Sequence, residues 1–263
     1  MTESKDTLGD RLKAQERVEA GRKADKRLPL ICRLDGKAFH TFTRGLQRPY
    51  EARLSELMVD TTRYLVEHTH ANVGYTQSDE ITLIWIPKYE DSFEYMYDGK
   101  FQKLTSILAS MAAGYFNAHL ATRLPEKSFE QTGTIAAFDA RVWNVPNVDD
   151  AYLNLLWRQN DAIKNSISMA AQAHFSHKSL HGVGSEEKKK MLREIGKPWE
   201  DEPMFFKMGT FVGRRTSMVE LSPEQLAKIP EKHRPTGPVQ RTSVVDLKLG
   251  YLEDYDEPLL MVF

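Results

Sequence analysis

Residues 71–87 read ANVGYTQSDEITLIWIP, in which two apolar runs flank a short polar turn. The runs near 71–75 and 80–86 predict two β-strands, and Pro87 is expected to end the second because proline cannot donate to a strand ladder. The polar TQSD between them is typical of a hairpin turn. The stretch therefore predicts a β-hairpin that carries Asp79 at its turn.

Further elements on both sides of this hairpin complete a core. Apolar residues at the spacing of a helix face, or in short runs, predict four of them. These are a strand at 28–34 that stops before Asp35-Gly36, helices at 51–69 and 100–123, and a strand or strand pair at 133–145. The resulting order, β-α-β-β-α-β, is the ferredoxin-like pattern. It predicts an α+β fold whose core spans about residues 28–146.

Outside the core, the sequence predicts added helices and a small C-terminal extension. The helices are expected at 4–27, 149–176 and 185–196, and strand-like pieces at 204–212, 242–249 and 257–263. No internal repeat or low-complexity linker divides the chain. We therefore expect residues 1–263 to form a single domain, with the extensions over about 147–263.

Composition narrows the class of protein. The chain of 263 residues is 41% hydrophobic and 28% charged with a net charge of −1, so it lacks the basic excess of many nucleic-acid binders. Its one cysteine, Cys32, stands in an apolar run and is expected to be a buried hydrophobe. The N-terminus is charged throughout, and no run approaches the ~20 apolar residues of a membrane helix. A cytoplasmic protein with no membrane partner is expected.

The predicted strand order places two acidic residues side by side. In a β-α-β-β-α-β unit the third strand lies between the first and the second, so Asp35 and Asp79 end up at the same end of the sheet, about 5 Å apart. Carboxylates so close repel each other unless a proton or a cation lies between them. A pair of divalent cations held by carboxylates serves phosphoryl and nucleotidyl transfer. Asp-Gly and Ser-Asp-Glu are also common structural turns, and the residues alone leave both interpretations open.

Several segments resemble one known family in order and spacing. RLDGKAFHTFTRGL, GYTQSDEITLIW, FDARVWNVP and WRQNDAIKNS resemble the tRNA(His) guanylyltransferases, and more closely their bacterial and archaeal branch of Thg1-like 3′–5′ RNA polymerases. The resemblance covers roughly residues 6–215 and implies a polymerase-like palm domain. It implies that ATP or GTP with Mg²⁺ activates a 5′-phosphorylated tRNA, after which the 3′-hydroxyl of an incoming nucleotide attacks the activated end. It also implies a homotetramer.

The resemblance also assigns residues to the site. Asp35, Asp79 and the Gly36 carbonyl match the ligands of two Mg²⁺ ions, and Glu80 is expected to support them as a third catalytic residue. The nucleoside triphosphate is expected to contact a further set of matching positions: Lys37, Ala38, Phe39, His40, Arg48, Ser78, Lys103 and Asn165.

One segment departs from the family pattern. Guanylyltransferases of eukaryotic type carry His-Ile-Asn-Asn after Trp-Arg-Gln-x-Asp-x, whereas this chain carries Ile163-Lys164-Asn165-Ser166. Only Asn165 is kept at its position. The departure favours template-dependent repair of 5′-truncated tRNA over the strict addition of an untemplated guanosine to tRNA(His).

Scattered cations are the candidate RNA contacts. They are Arg158, Lys164, Lys188, Lys189, Lys190, Arg214 and Arg215. Because the net charge is near zero, an RNA track would have to be gathered from such patches by oligomerisation.

Two other functions fit the same pattern. A nucleotide cyclase would also place two aspartates on a palm-like sheet, but would act on a nucleoside triphosphate alone. A non-catalytic RNA-binding module would instead expose aromatic residues on its sheet face. The strands here offer mostly aliphatic residues and Trp85.

Overall fold

The computed structural model describes residues 7–87 and 94–254. Six strands form one sheet: β1 Leu30–Gly36, β2 Val73–Gln77, β3 Glu80–Trp85, β4 Phe138–Asn144, β5 Thr210–Val219 and β6 Val239–Leu247. The helices are α1 Thr7–Ala20, α2 Phe39–Phe42, α3 Ala52–Thr69, α4 Phe101–Arg123, α5 Phe129–Thr132, α6 Val148–His174, α7 His177–Leu180, α8 Ser185–Glu194, α9 Met204–Met208 and α10 Pro223–Ala227.

The strand order is β4-β1-β3-β2-β5-β6, and every neighbouring pair is antiparallel. β3 therefore lies between β1 and β2, which run parallel to each other. With α3 and α4 as the two connecting helices, β1 to β4 form a ferredoxin-like unit. This confirms the predicted α+β fold, and β5 and β6 extend the sheet beyond β2.

The two faces of the sheet differ because successive strand residues point to opposite sides. On the first, which we call the covered face, Leu30, Cys32 and Leu34 pack against α3 and α4 in the main hydrophobic core. On the second, the α6 face, Ile31 and Ile84 pack with Ala151 and Leu155 of α6. Cys32 is fully buried, and burial raises the pKa of its thiol, so the expectation of a buried hydrophobe is confirmed.

Helix α6 is positioned by contacts at its first turn and along its second half. Its first turn is capped by Asn147, whose side-chain oxygen accepts from the N–H of Asp150 at 2.8 Å. A third cluster joins its second half to α8 and Trp199, with Ile167, Ala170 and Leu192 at its centre. The helix thus crosses from the sheet to the C-terminal elements.

Some predicted elements differ from the observed ones. The first helix ends at Ala20 rather than at residue 27, because Lys23 pairs with Lys100 in an isolated bridge. Residues 133–145 supply one strand from Phe138, not a pair.

The strands predicted in the C-terminal part also differ from the observed elements. The stretch at 204–212 is a short helix, α9, followed by β5, because Gly209 with a φ of 74° separates the two. The strand predicted at 242–249 is β6, which begins earlier, at Val239. The piece at 257–263 lies outside the described residues. Among the described helices, none has the length and apolarity of a membrane span.

Candidate active site

The two predicted acidic residues lie at the same end of the sheet. Asp35 is the penultimate residue of β1 and pairs in register with Glu80, the first residue of β3. Asp79 stands in the turn before it, and its carbonyl accepts from the N–H of Gly36 at 3.1 Å. Ser78, with a φ of 50°, shapes this turn, and its hydroxyl donates to the Asp79 carboxylate at 3.1 Å. The predicted meeting of strand end and hairpin turn is therefore observed.

The environment of Asp79 disfavours a bare negative charge. Burial raises the pKa of its carboxyl, and the neighbouring charge of Asp35 acts in the same direction. The hydrogen bond from Ser78 and the nearby His40 act in the opposite direction. The pair of aspartates thus lacks full compensation from the protein, which favours an added proton or cation.

The donor set fits one kind of metal better than another. Among the described residues, no three His, Cys, Asp or Glu side chains form a cage for a metal ion. Mg²⁺, however, binds through one or two carboxylates completed by water and substrate phosphates. Asp35 and Asp79 are such a pair at the edge of a cleft, so they fit an ion that arrives with a triphosphate.

Glu80 and Arg158 form a buried ion pair beside the aspartates. Nε and Nη2 of Arg158 donate to the two oxygens of Glu80 at 2.6 and 2.7 Å, and Nη2 also donates to Asp161 at 2.9 Å. Each partner is only 8% exposed. Burial raises the pKa of Glu80, whereas the guanidinium opposes that shift. The pair ties α6 to the start of β3.

These contacts bear on two expectations. Both carboxylate oxygens of Glu80 accept from Arg158 while Glu80 also borders the cleft, so its supporting role at the site stays a prediction. Arg158 was a candidate RNA contact, but its buried guanidinium is held by Glu80 and Asp161 and does not face the surface.

A cleft opens between the strand ends and the second half of α6. It consists of three adjoining cavities of about 330, 360 and 400 Å³, all bordered by Ser78 and Met169. Cavities of this size suit a ligand as large as a nucleotide. Several residues predicted to contact a nucleotide line them: His40, Arg48, Ser78 and Asn165.

The loop after β1 reaches the cleft at Ala38 and Phe39. Ala38 adopts a φ of 56°, and the ring of Phe39 is 3% exposed, packed against Phe116 and Phe138. A Cβ on Gly36 would lie 2.4 Å from that ring. Phe39 thus packs its ring into the core and also borders the cavity, and its expected contact with the nucleotide stays a prediction.

The two predicted lysines stand apart from these cavities. Lys37 is exposed, and its N–H donates to the carbonyl of Ala137 at 2.8 Å. Lys103 lies in the first turn of α4, where the N–H of Phe101 donates to the carbonyl of Arg22. That turn adjoins the opposite end of the sheet from Asp35, because α4 starts only after β3 has crossed it. Within one chain, Lys103 is not brought to the cleft.

The other candidate RNA contacts are dispersed. Lys188 donates to Ser168 at 3.1 Å, Lys189 pairs with Glu186 at 3.0 Å, and Lys190 lies 3.5 Å from Glu187. The ammonium of Lys189 also lies over the ring of Trp199. The remaining three are Lys164, exposed on α6, and Arg214 and Arg215 on β5. Their contact with RNA stays a prediction.

Two of the three positions that depart from the family pattern serve packing. Ser166 is 2% exposed, and its hydroxyl accepts from the indole N–H of Trp199 at 3.0 Å and donates to the carbonyl of Ile163. The side chain of Ile163 packs into the third cluster. Asn165, between them, instead faces Asp161 and the cleft.

Sequence reasoning missed part of the cleft wall. Asp161, Met169 and Gln172 line it beside Asn165, and Asp161 accepts from the Asn165 amide at 3.2 Å. Their spacing of three to four residues places them on one face of α6, which is the signal that could have found them.

Comparisons with known proteins agree with this geometry. A model of the family "Thg1: tRNAHis guanylyltransferase" matches residues 10–146. An uncharacterised protein of Acanthamoeba polyphaga mimivirus is 30% identical over 79% of this chain and 77% of its own length. The tRNA(His) guanylyltransferase of Schizosaccharomyces pombe is 26% identical over 74% and 78%.

Solved structures extend the match to three dimensions. A bacterial tRNA(His) guanylyltransferase (Thg1)-like protein in complex with ATP has a TM-score of 0.72 and 34% identity over 80% of this chain and 87% of that one. Another, in complex with GTP, has a TM-score of 0.72 and 28% identity over 95% of each chain. With the family matched over its core and the fold matched over nearly all its length, the chain belongs to the Thg1 family and is a tRNA(His) guanylyltransferase-like nucleotidyltransferase.

Proposed function

We propose that this protein adds nucleotides in the 3′–5′ direction to the 5′ end of tRNA in a Mg²⁺-dependent reaction. The observation that carries the proposal is the meeting of Asp35 and Asp79 at the edge of a nucleotide-sized cleft. Two substrates, an RNA end and a nucleoside triphosphate, must reach these carboxylates together.

Two sets of cleft residues would contact the triphosphate. Arg48 and His40 line one part of the cleft and can supply hydrogen bonds and positive charge to phosphate oxygens. Ser78 and Asn165 line the adjoining part and offer neutral donors. Asp35 and Asp79 would hold Mg²⁺, with the Gly36 carbonyl beside them, and the ion would offset the charge of the phosphates when bound. The relatives in complex with ATP and with GTP support purine nucleoside triphosphates as the ligands.

The chemistry is two successive displacements at phosphorus. First, an oxygen of the tRNA 5′-monophosphate attacks the α-phosphate of ATP or GTP, and pyrophosphate leaves. Then the 3′-hydroxyl oxygen of an incoming nucleotide attacks the activated 5′-phosphate, and the nucleoside monophosphate leaves. In both steps the protein's part is to align the attacking oxygen and the leaving group, which is the main source of rate in phosphoryl transfer.

We further propose that the reaction is template-dependent repair of 5′-truncated tRNA. Support comes from Ile163 and Ser166, whose side chains are engaged in packing with the C-terminal elements. Asn165 of that segment instead faces the cleft beside Asp161. A homotetramer, implied by the family resemblance, and a cytoplasmic location, expected from the N-terminal sequence, stay predictions.

The test compares two substrates side by side. Labelled nucleoside triphosphates and Mg²⁺ are incubated with 5′-monophosphorylated tRNA(His), either full-length or lacking its first nucleotide. We expect label at the 5′ end of the truncated tRNA, lost with EDTA and with Asp79→Asn. Absence of 5′ addition from both substrates would overturn the proposal, and efficient addition to the full-length tRNA alone would overturn the repair preference. An arm without tRNA would reveal a cyclase by its cyclic product.

A further inference from the structure

The α6 face of the sheet stays partly open next to Asp35. Two residues before Asp35 on β1 stands Arg33, and directly opposite on β4 stands Arg141. Above them, Trp157 of α6 keeps 54% of its surface exposed, and the side chain of Arg141 keeps 53%. We call Arg33, Arg141 and Trp157 the arginine–tryptophan strip.

The strip is built around a ring between two cations. The guanidinium of Arg33 lies 5.6 Å from the centroid of the Trp157 ring, and that of Arg158 lies 4.6 Å from it. Arg158 is buried in its ion pair with Glu80, so it fixes the ring from beneath rather than offering a free charge. The exposed part of the indole is thus held in a set orientation.

The two arginines of the strip are a like-charge pair. Residues directly opposite on neighbouring strands stand close enough to interact, and like charges in such positions are destabilising. Asp139, 3.4 Å from Arg141, offsets that arginine in part. The Arg33 guanidinium lies against the Trp157 ring, and its charge also acts on the buried Glu80, whose pKa it lowers, so Arg33 too is offset only in part. An anion between the two strands would relieve the repulsion.

The strip and the cleft adjoin the same carboxylate from different sides. The cleft is walled by the loop after β1, the β2–β3 turn and the second half of α6. The strip lies outside those walls, about 7 Å along β1 from Asp35. A triphosphate in the cleft therefore leaves the strip as an open approach to the aspartates for the second substrate.

We propose that the arginine–tryptophan strip binds the 5′-terminal strand of the RNA substrate, with phosphates at Arg33 and Arg141 and a base on Trp157. Positive charge along a backbone path combined with an exposed aromatic ring is the usual way to hold a single nucleic-acid strand. The inference rests on the proposed function, since it takes the RNA 5′ end as a substrate, and it assigns that end a place on this chain.

The test measures RNA binding separately from catalysis. The probe is fluorescently labelled, 5′-monophosphorylated tRNA lacking its first nucleotide, titrated with protein in Mg²⁺ and followed by anisotropy. We expect Trp157→Ala to weaken RNA binding about tenfold, in line with loss of one base stack, and Trp157→Phe to weaken it less. Affinity for ATP, measured by calorimetry, should stay within about twofold in both variants.

Charge and position supply the controls. Arg141→Gln should lower the slope of log Kd against log salt concentration by about one phosphate contact. Tyr97→Ala removes a ring that is 43% exposed at the opposite end of the sheet, and should leave RNA affinity unchanged. Circular dichroism and thermal unfolding establish that each variant is folded.

The outcomes separate this inference from the proposed function. If Trp157→Ala and Arg141→Gln bind RNA as the wild type does, or lose ATP affinity to the same extent as RNA affinity, the strip is not the RNA site. If RNA binding depends on the strip but no nucleotide is added, the inference stands and the proposed function fails. If nucleotide addition occurs with RNA binding independent of the strip, only the inference fails.

Discussion

On the covered face of the sheet, β1 presents Leu30, Cys32 and Leu34, each at most 1% exposed and surrounded by aliphatic and aromatic neighbours. On the α6 face, the same strand presents Ile31 and then the charged Arg33 and Asp35. Helix α6 crosses this second face, packing on Ile31 with Ala151 and Leu155 and reaching Glu80, the residue opposite Asp35, with Arg158. Along its α6 face, β1 thus changes from a residue that packs in the core, Ile31, to charged residues at the candidate active site, Arg33 and Asp35.

This difference shows how a small sheet can hold buried charges. The covered face supplies apolar burial, which is the main driving force of folding. On the α6 face the buried charges depend on particular partners, because an unpaired buried charge is costly. Glu80 has Arg158, whereas Asp79 lies beside the like charge of Asp35 and is offset by hydrogen bonds from Ser78 and the backbone and by the nearby His40. Stability and reactivity should therefore respond to different substitutions on the two faces.

The largest effect is expected from breaking the charge pair of the α6 face. Arg158→Met leaves Glu80 buried without its partner, and should lower the free energy of unfolding by about 3–5 kcal/mol in urea titrations at pH 7. The deficit should shrink toward pH 5, because Glu80 then takes up a proton. The matched double variant Glu80→Leu with Arg158→Met should recover most of the stability. A single variant as stable as the wild type would mean that the pair does not hold α6 to the sheet.

The second effect concerns reactivity. Asp79→Asn should slow nucleotide addition by about 10²–10³-fold, the usual loss when one group that stabilises a transition state is removed. Asp35→Asn should do the same, since both carboxylates serve one site. Single-turnover assays with saturating tRNA would measure the loss, and an unchanged rate in either variant would contradict the role of the aspartates.

Asp79→Asn should stabilise the folded protein although it slows nucleotide addition. Burial raises the pKa of Asp79 in the folded protein, so the folded state holds a proton that the unfolded chain releases near its ordinary value of about 3.9. Stability therefore falls as pH rises from that value through the raised one, and the cost is fully present once the pH exceeds the raised value. Asp79→Asn should unfold at higher urea than the wild type at pH 7, and the difference should vanish well below pH 3.9. A destabilised Asp79→Asn at pH 7 would contradict this account.

A smaller effect is expected at Gly36, the last residue of β1. Gly36→Ala places a Cβ 2.4 Å from the ring of Phe39, and should cost about 1–3 kcal/mol as an overpacked site. It should also lower nucleotide addition, because Gly36 follows Asp35 directly. Gly114→Ala is the matched control: its Cβ meets nothing within 4 Å on α4, and it should stabilise by up to about 1 kcal/mol. If Gly36→Ala and Gly114→Ala changed the free energy of unfolding equally, a clash with the Phe39 ring would be excluded.

The smallest effect is expected on the covered face. Ile81→Val removes one methyl group from a fully buried residue next to Glu80 in sequence, and should cost about 0.5–1.5 kcal/mol. Nucleotide addition per folded molecule should not change, since Ile81 points away from the aspartates. A loss of activity larger than the loss of stability would show that the two faces are coupled.

Strand order and the acidic pair followed from the sequence because they depend on local signals. The polar turn between two apolar runs specifies the hairpin, and the β-α-β-β-α-β order then puts Asp79 beside the end of β1. Both follow from periodicity within short windows, and the structure has them as expected.

The partners of individual charges could not be predicted in the same way. Arg158 reads as one more polar residue on an amphipathic helix, and only the crossing of α6 over β3 reveals its contact with Glu80, 78 positions away. Lys103 was assigned by resemblance alone, and nothing local to it indicates which end of the sheet the start of α4 adjoins. The MFFKM stretch of α9 is apolar and short, a case in which helix and strand periodicity cannot be told apart.

The hydrogen bond between Trp199 and Ser166 has a practical consequence. Trp199 is 7% exposed, and Ser166 borders the same cavity as His40 and Arg48. An intrinsic fluorophore is therefore joined by one hydrogen bond to the wall of the nucleotide cavity. Since the chain has four tryptophans, replacing Trp85, Trp143 and Trp157 by Phe would leave Trp199 as the single emitter, a label-free optical readout of ligand entry.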